Sequence, residues 1–221
     1  MRLIVGDACA KSGYSTGYQF LRRIEIFAAT LALWGERLNL TSAPDDAHEI
    51  AFHIIDSLAP LICAGSSAGA SLAGAFDRGV RVLDLGSGAG FPALILASDS
   101  DADFVLLEAR RKRASFLAVA AAEMGLANHV RVDASRTDST SLDAAYDVVT
   151  ARAFAEPGVV YRTAAARLRA GGRLILYINP SQRAAMKSAG GEHFAAPSFI
   201  PYEVARGALS VSHVLAISRR L

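Results

Sequence analysis

The chain has 221 residues, 52% of them hydrophobic and 20% charged, with a net charge of +2. That balance excludes a disordered chain and a surface that is basic throughout, and the length suits one domain with an appendage. Of the 23 cations 20 are Arg and three are Lys; Arg favours bidentate phosphate and base contacts, although GC-rich coding produces the same bias.

Cys9 and Cys63 share no metal or redox spacing, which predicts a reducing compartment and no metal site. Met1 to Ala10 holds an apolar run of only three residues, too short for the core of a secretion signal. No stretch is long enough to span a bilayer. The expectation is a cytoplasmic monomer.

Residues 15 to 38 read as an amphipathic helix, with Leu21, Ile24, Phe27, Ala28, Leu31 and Trp34 at three- and four-residue steps. A second helix is expected from Ser42 or Asp45, with Ile50, Ile54 and Leu58 facing inward. On it His53 and Asp56 share a face, and a surface hydrogen bond is the expected role. Ala64 to Ala75 is almost all Ala, Gly and Ser and reads as a loosely held loop. The organisation expected is therefore a helical cap over 1–63, a linker over 64–79 and a main domain over 80–221.

From Val80 the pattern alternates. Strands are predicted at 80–85, 103–108, 129–133, 146–151 and 172–178, with helices at 92–98, 111–124 and 157–169 between them. Two further strands, 199–204 and 209–218, lie so close together that they must pair antiparallel. The fold class is α/β: a mostly parallel, Rossmann-like sheet of seven strands with an antiparallel C-terminal hairpin, the variant used by methyltransferases. Ligands in such sheets bind at the carboxyl ends of the strands. Asp84, Glu108, Ser135-Arg136, Arg152 and Asn179 fall at those ends and are expected to converge on one cleft.

The richest stretch runs from Val80 to Pro92, a strand followed by Gly86-Ser87-Gly88-Ala89-Gly90 and then Phe91-Pro92. Glycines let the backbone turn tightly and approach a ligand. A dinucleotide fingerprint needs G-x-G-x-x-G. Here the third glycine comes one residue early, and Asp84 would repel a pyrophosphate but attract an ammonium group. Glu108, about 20 residues on, suits a pair of ribose hydroxyls. Asp84, Gly86, Gly88 and Glu108 together favour S-adenosylmethionine over a nicotinamide dinucleotide, with S-adenosylhomocysteine as product.

Activating groups depend on the methyl acceptor. Neither cysteine falls at a strand end, only Lys112 is near the expected cleft, and after the fourth strand Thr150-Ala151-Arg152-Ala153-Phe154 stands in place of an N-P-P-aromatic turn. An acceptor that loses no proton remains, such as guanine N7, whose neighbour O6 is read by Arg. Arg136 and Arg152 are the candidate catalytic residues, orienting the base or its phosphates. Arg110-Arg111-Lys112-Arg113 opens a helix against its dipole, which fits either a phosphate-binding rim or a solvated turn.

Asn39-Leu40-Thr41, His53-Ile54-Ile55-Asp56-Ser57, the 83–92 glycine segment, Leu106-Leu107-Glu108, Lys112-Arg113, Ser135-Arg136 and Ala151-Arg152-Ala153-Phe154 occur in an order and spacing that resembles the RsmG (GidB) family of bacterial small-subunit rRNA methyltransferases. The likeness runs from about Trp34 to the C-terminus. It implies S-adenosylmethionine-dependent methylation of a guanine N7 in 16S rRNA, the partner being that RNA or the 30S subunit. It also implies that Gly86, Phe91, Thr137, Asp138 and Arg152 line the cofactor pocket. Lys112, Arg113, Arg136, His53 and Asn39 would then face RNA. Phe52, Glu108-Ala109 and Asn179-Pro180 depart from the family pattern; the last replaces an expected Lys-Gly. Two rival readings stay open, an enzyme of the same fold with another RNA or small-molecule acceptor, and a non-catalytic, cofactor-binding module on the ribosome.

Overall fold

A computed structural model describes residues 1–136 and 146–221. Four helices come first: α1 Arg2–Lys11, α2 Tyr18–Leu38, α3 Ala47–Ser57 and α4 Ala59–Ala64. α1 went unpredicted because its apolar residues, with Leu3, Ile4 and Val5 consecutive, mark no clear helical face; Val5 and Cys9 are its buried residues. α3 starts one residue after Asp46, whose carboxylate accepts from the amides of His48 and Glu49, as an N-cap should.

The Ala/Gly/Ser stretch expected to be loose is packed. A 3-10 turn spans Ser67–Leu72, and Gly69, Leu72, Ala75 and Phe76 are buried. Small side chains here serve close approach: a Cβ on Gly69 would stand 1.8 Å from the Cys63 carbonyl oxygen.

The strands are β1 Arg81–Leu85, β2 Asp103–Leu107, β3 Val130–Asp133, β4 Tyr146–Arg152, β5 Leu168–Ile178, β6 Ser198–Arg206 and β7 Leu209–Arg219. Helices α5 Ala93–Ser98, α6 Arg111–Glu123, α7 Pro157–Ala165 and α8 Arg183–Ala189 complete the described chain. The sheet order is β3-β2-β1-β4-β5-β7-β6. β1 to β5 run parallel, while β7 is antiparallel to both β5 and β6. β1 is buried on both faces, which is why it reads as a near-continuous apolar run. β5 begins at Leu168, earlier than predicted, because the backbone bulges opposite Tyr146 and Val148 and extends the ladder.

One core joins the N-terminal helices to the sheet: Phe20, Ile24, Phe27 and Leu31 of α2 and Ile50 and Ile54 of α3 cluster with Phe91, Leu94 and Leu215. Phe27 meets Phe91 edge to face, with ring centroids 5.2 Å apart. The helical layer is thereby held against the carboxyl end of β1, where the glycine turn begins. Among the described residues no helix is long and apolar enough to cross a membrane.

Candidate active site

The register of β1 and β4 aligns Asp84 with Thr150, and the Thr150 hydroxyl donates to Asp84 Oδ1 at 2.7 Å. Asp84 Oδ2 is buried with no hydrogen-bond partner among the described residues. Burial pushes the Asp84 carboxyl up to about 6. An orphaned carboxylate oxygen at the edge of a glycine turn fits a ligand that brings its own donor.

The turn follows directly. Gly86 has φ +69°, and a Cβ there would lie 2.6 Å from the Phe154 ring. Gly88 has φ +54°, and a Cβ there would meet nothing closer than 3.7 Å, so its face of the turn is open. Glu108 braces the loop: one carboxylate oxygen accepts from the Gly88 amide at 3.0 Å, the other from the Arg110 amide at 2.9 Å. Each oxygen keeps a lone pair for a further donor such as a ribose hydroxyl. Asp84, Gly86, Gly88 and Glu108 are therefore brought together as expected, and they suit an ammonium group and a sugar better than a phosphate. Thr137 and Asp138, expected beside the adenine, lie outside the described residues.

Beside this cradle, at the ends of β4 and β5, opens a cavity of about 590 Å³. Its polar lining includes His53, Asp56, Arg152, Asn179, Arg206 and His213. Arg152 is fixed from two sides, with Nη1 2.8 Å from Asp56 Oδ2 and Cζ 5.1 Å over the Phe91 ring. Phe91, expected in the cofactor wall, is buried and serves as the platform under Arg152 and His53.

Asp56 is not on the helix surface, where sequence reasoning put it. It is buried, and its Oδ1 accepts from the Tyr202 hydroxyl and His213 Nδ1, both at 2.7 Å. Burial alone would raise its carboxyl, but His213, Arg152 and Tyr202 together hold it below the usual carboxylate range. His53 also turns inward. Burial, with the Arg152 charge nearby, pushes its imidazole down to about 4. Tyr177 donates to the Ser57 carbonyl at 2.7 Å and closes the floor. Tyr202 and His213 had a legible signal: the tight turn at Gly207-Ala208 makes them cross-strand partners.

Among the described residues, the strand-end residues do not all line this cavity. Arg136 is exposed just past β3, and the order β3-β2-β1-β4 puts roughly 14 Å of sheet between the ends of β3 and β4. Arg136 and Arg152 thus do not share the cavity. Asn39, Lys112 and Arg113 form a second zone, a 330 Å³ groove with Arg37, Arg110 and Arg111. Asn39 ends α2 with φ 48°, and its carbonyl accepts from Arg113 at 2.6 Å.

The departures from the family pattern have local explanations. Asn179 caps a 3-10 turn over Pro180–Gln182, its amide donating to Gln182 at 2.8 Å. Arg206 of β6 sits 5.2 Å over the Phe52 ring and pairs with both Glu49 oxygens, so a cation stands beside Phe52 from outside α3.

A cradle for a donor without phosphates, at the carboxyl edge of this strand order, defines a class: the Rossmann-like S-adenosylmethionine-dependent methyltransferases. Solved structures agree on the fold, among them the tRNA (m1A58) methyltransferase TrmI from Aquifex aeolicus (TM-score 0.58, 12% identity, 76% of this chain and 68% of that one). An S-adenosylmethionine-dependent O-methyltransferase from Thermotoga maritima is comparable (TM-score 0.57, 14% identity, 76% and 64%).

The family model described as rRNA small subunit methyltransferase G (GidB) matches residues 21–195, and the chain belongs to that family. Relatives named Ribosomal RNA small subunit methyltransferase G include one from Methylococcus capsulatus, 34% identical over 74% of this chain and 73% of its own length. Another, from Wolinella succinogenes, is 38% identical over 61% of this chain and 63% of its own length.

Proposed function

We propose that this enzyme methylates N7 of a guanine in the 16S rRNA of the small ribosomal subunit. The observation that carries the reading is the setting of Arg152. It is clamped by Asp56 and Phe91 in a cavity beside the glycine cradle, whose lining contains neither Cys nor Lys among the described residues. Cys9 and Cys63 are buried elsewhere, and burial pushes the Cys9 thiol up to about 12, which argues against a thiolate nucleophile. An acceptor with its own lone pair needs only orientation and exclusion of water.

Asp84, Gly86, Gly88 and Glu108 are the residues to hold S-adenosylmethionine, which when bound supplies an electrophilic methyl group on a sulfonium. Arg152 orients the acceptor through donors that suit guanine O6, adjacent to N7. An acceptor such as N7 brings its own lone pair and would lose no proton, so no general base is asked of the cavity. Arg37 and the 110–113 cations give RNA phosphates a place to bind next to the cradle. Lys112, Arg113, Arg136, His53 and Asn39 keep their assignment as RNA-side residues in this reading. We also read residues 1–63 as a cap on the catalytic domain and the protein as cytoplasmic, and, since the large exposed apolar side chains among the described residues are far apart in sequence, as a monomer.

Methyl transfer from tritiated donor to 30S subunits of a strain lacking the enzyme tests the reading. Aniline cleavage and primer extension locate the product. One new N7-methylguanine in 16S rRNA is expected; label on a different atom or only on another RNA would overturn it.

A further inference from the structure

His213 has two ring nitrogens and uses one. Nδ1 lies 2.7 Å from Asp56 Oδ1. Asp56 is a carboxylate and so can only accept; Nδ1 therefore carries the hydrogen, and in the neutral ring Nε2 carries a lone pair. Nε2 has no partner among the described residues, nor is it among their buried polar atoms, and His213 lines the cavity that holds Arg152. Both side chains hang on one carboxylate, Arg152 on Oδ2 and His213 on Oδ1. With the His213 ring neutral, the cavity offers a donor and an acceptor on one carboxylate.

We propose that His213 Nε2 accepts a hydrogen bond from the ring-edge N–H groups of the purine being methylated, a contact that rests on the guanine reading above. Guanine presents the O6 acceptor beside N1–H and N2–H donors, whereas adenine presents a donor where guanine has O6. A pair made of Arg152 and His213 matches guanine and leaves N7 uncovered. The contact also strengthens during reaction. As N7 bonds to carbon the ring gains positive charge, its N–H groups become stronger donors, and an acceptor lone pair gains more in the transition state than in the ground state. His213 is thereby a specificity-determining residue that also favours transfer.

Two substitutions separate this role from mere support of Asp56. His213→Asn keeps an amide donor near the place of Nδ1 but has no atom near the place of Nε2. His213→Gln reaches the place of Nε2 with an amide oxygen. With the full chain, S-adenosylmethionine and 30S subunits from a strain lacking the enzyme, His213→Asn and His213→Ala are expected to lower kcat by roughly 10- to 100-fold. His213→Gln should recover most of that loss, while calorimetric affinity for S-adenosylmethionine stays within about twofold in all three. The reverse order, Asn close to wild type and Gln impaired, would mean that His213 serves only Asp56 and would overturn the proposal, as would equal activity of all variants. A wild-type enzyme that leaves no methyl on guanine N7 in the 30S subunit refutes the function itself, and is seen before any variant is made.

Discussion

Asp56 and Arg152, 96 residues apart in sequence, meet through a 2.8 Å ion pair that joins α3 of the helical layer to the end of β4. The carboxylate side chain is only 4% exposed and the guanidinium 20%, so solvent screens the pair weakly. Removing one partner leaves the other buried and uncompensated. Asp56→Asn is expected to cost about 3 kcal/mol of stability and to lower methyl transfer through a displaced Arg152. Urea unfolding and turnover measured on the same preparation check both; a loss below about 1 kcal/mol would place the pair with surface bridges.

Asp84 and His53 are linked to pH with opposite signs. Burial raises the Asp84 carboxyl to about 6, so the folded state binds a proton that the unfolded state lacks between about pH 6 and 4. Its contribution therefore makes the protein more stable as pH falls through that window and costs about 3 kcal/mol above it. His53, pushed down to about 4, does the reverse: the unfolded state binds the proton first, and stability is lost as pH falls from about 6.5 to 4. Asp84→Asn should be more stable than wild type at pH 7, by up to about 3 kcal/mol, with the advantage gone near pH 4. It should also bind S-adenosylmethionine less tightly. Urea unfolding at both pH values and calorimetry measure this, and a pH-independent difference would contradict it.

The cradle was legible in the sequence and the cavity mostly was not. A glycine turn is local: Asp84, Gly86, Gly88 and Glu108 are placed by strand ends that periodicity locates within a residue or two. The hairpin turn pairs Tyr202 with His213, but Asp56 reaches that pair, and Ser57 reaches Tyr177 of β5, only through tertiary packing of α3 on the sheet, and no spacing along the chain encodes those contacts. The same reason explains Arg136. Its position after a strand was readable, but its distance from Arg152 depends on strand order. Composition misled at 64–75, where small residues signal close packing as readily as a loose loop.

Gly86 and Phe154 define how the cradle is closed toward the cavity. With φ +69° and a prospective Cβ 2.6 Å from the Phe154 ring, Gly86→Ala meets both backbone strain and a clash. The expected cost is about 1–3 kcal/mol, together with weakened donor binding. Phe154→Ala in the same chain should restore part of the stability by removing the clash while the backbone strain persists. A double-mutant cycle on thermal unfolding measures the coupling, and strict additivity would mean the ring has simply moved aside.

The groove lined by Arg37, Arg110, Arg111, Lys112 and Arg113 contains no carboxylate among its described lining residues. Four cations at the start of α6 oppose the helix dipole, and Glu108, which accepts from the Arg110 amide, sets one negative charge against them. RNA phosphates supply more, and each contact made releases condensed counterions. Arg111→Ala and Lys112→Ala should each weaken binding to 16S rRNA similarly across sequences and flatten the plot of log affinity against log salt by about one unit of slope. Arg113→Ala should differ, because its guanidinium is already tied to the Asn39 carbonyl and helps seat α6 on α2. Its loss should appear in thermal stability more than in the salt slope. Filter binding at several salt concentrations distinguishes the two behaviours; unchanged slopes for Arg111→Ala and Lys112→Ala would move the RNA path away from this groove.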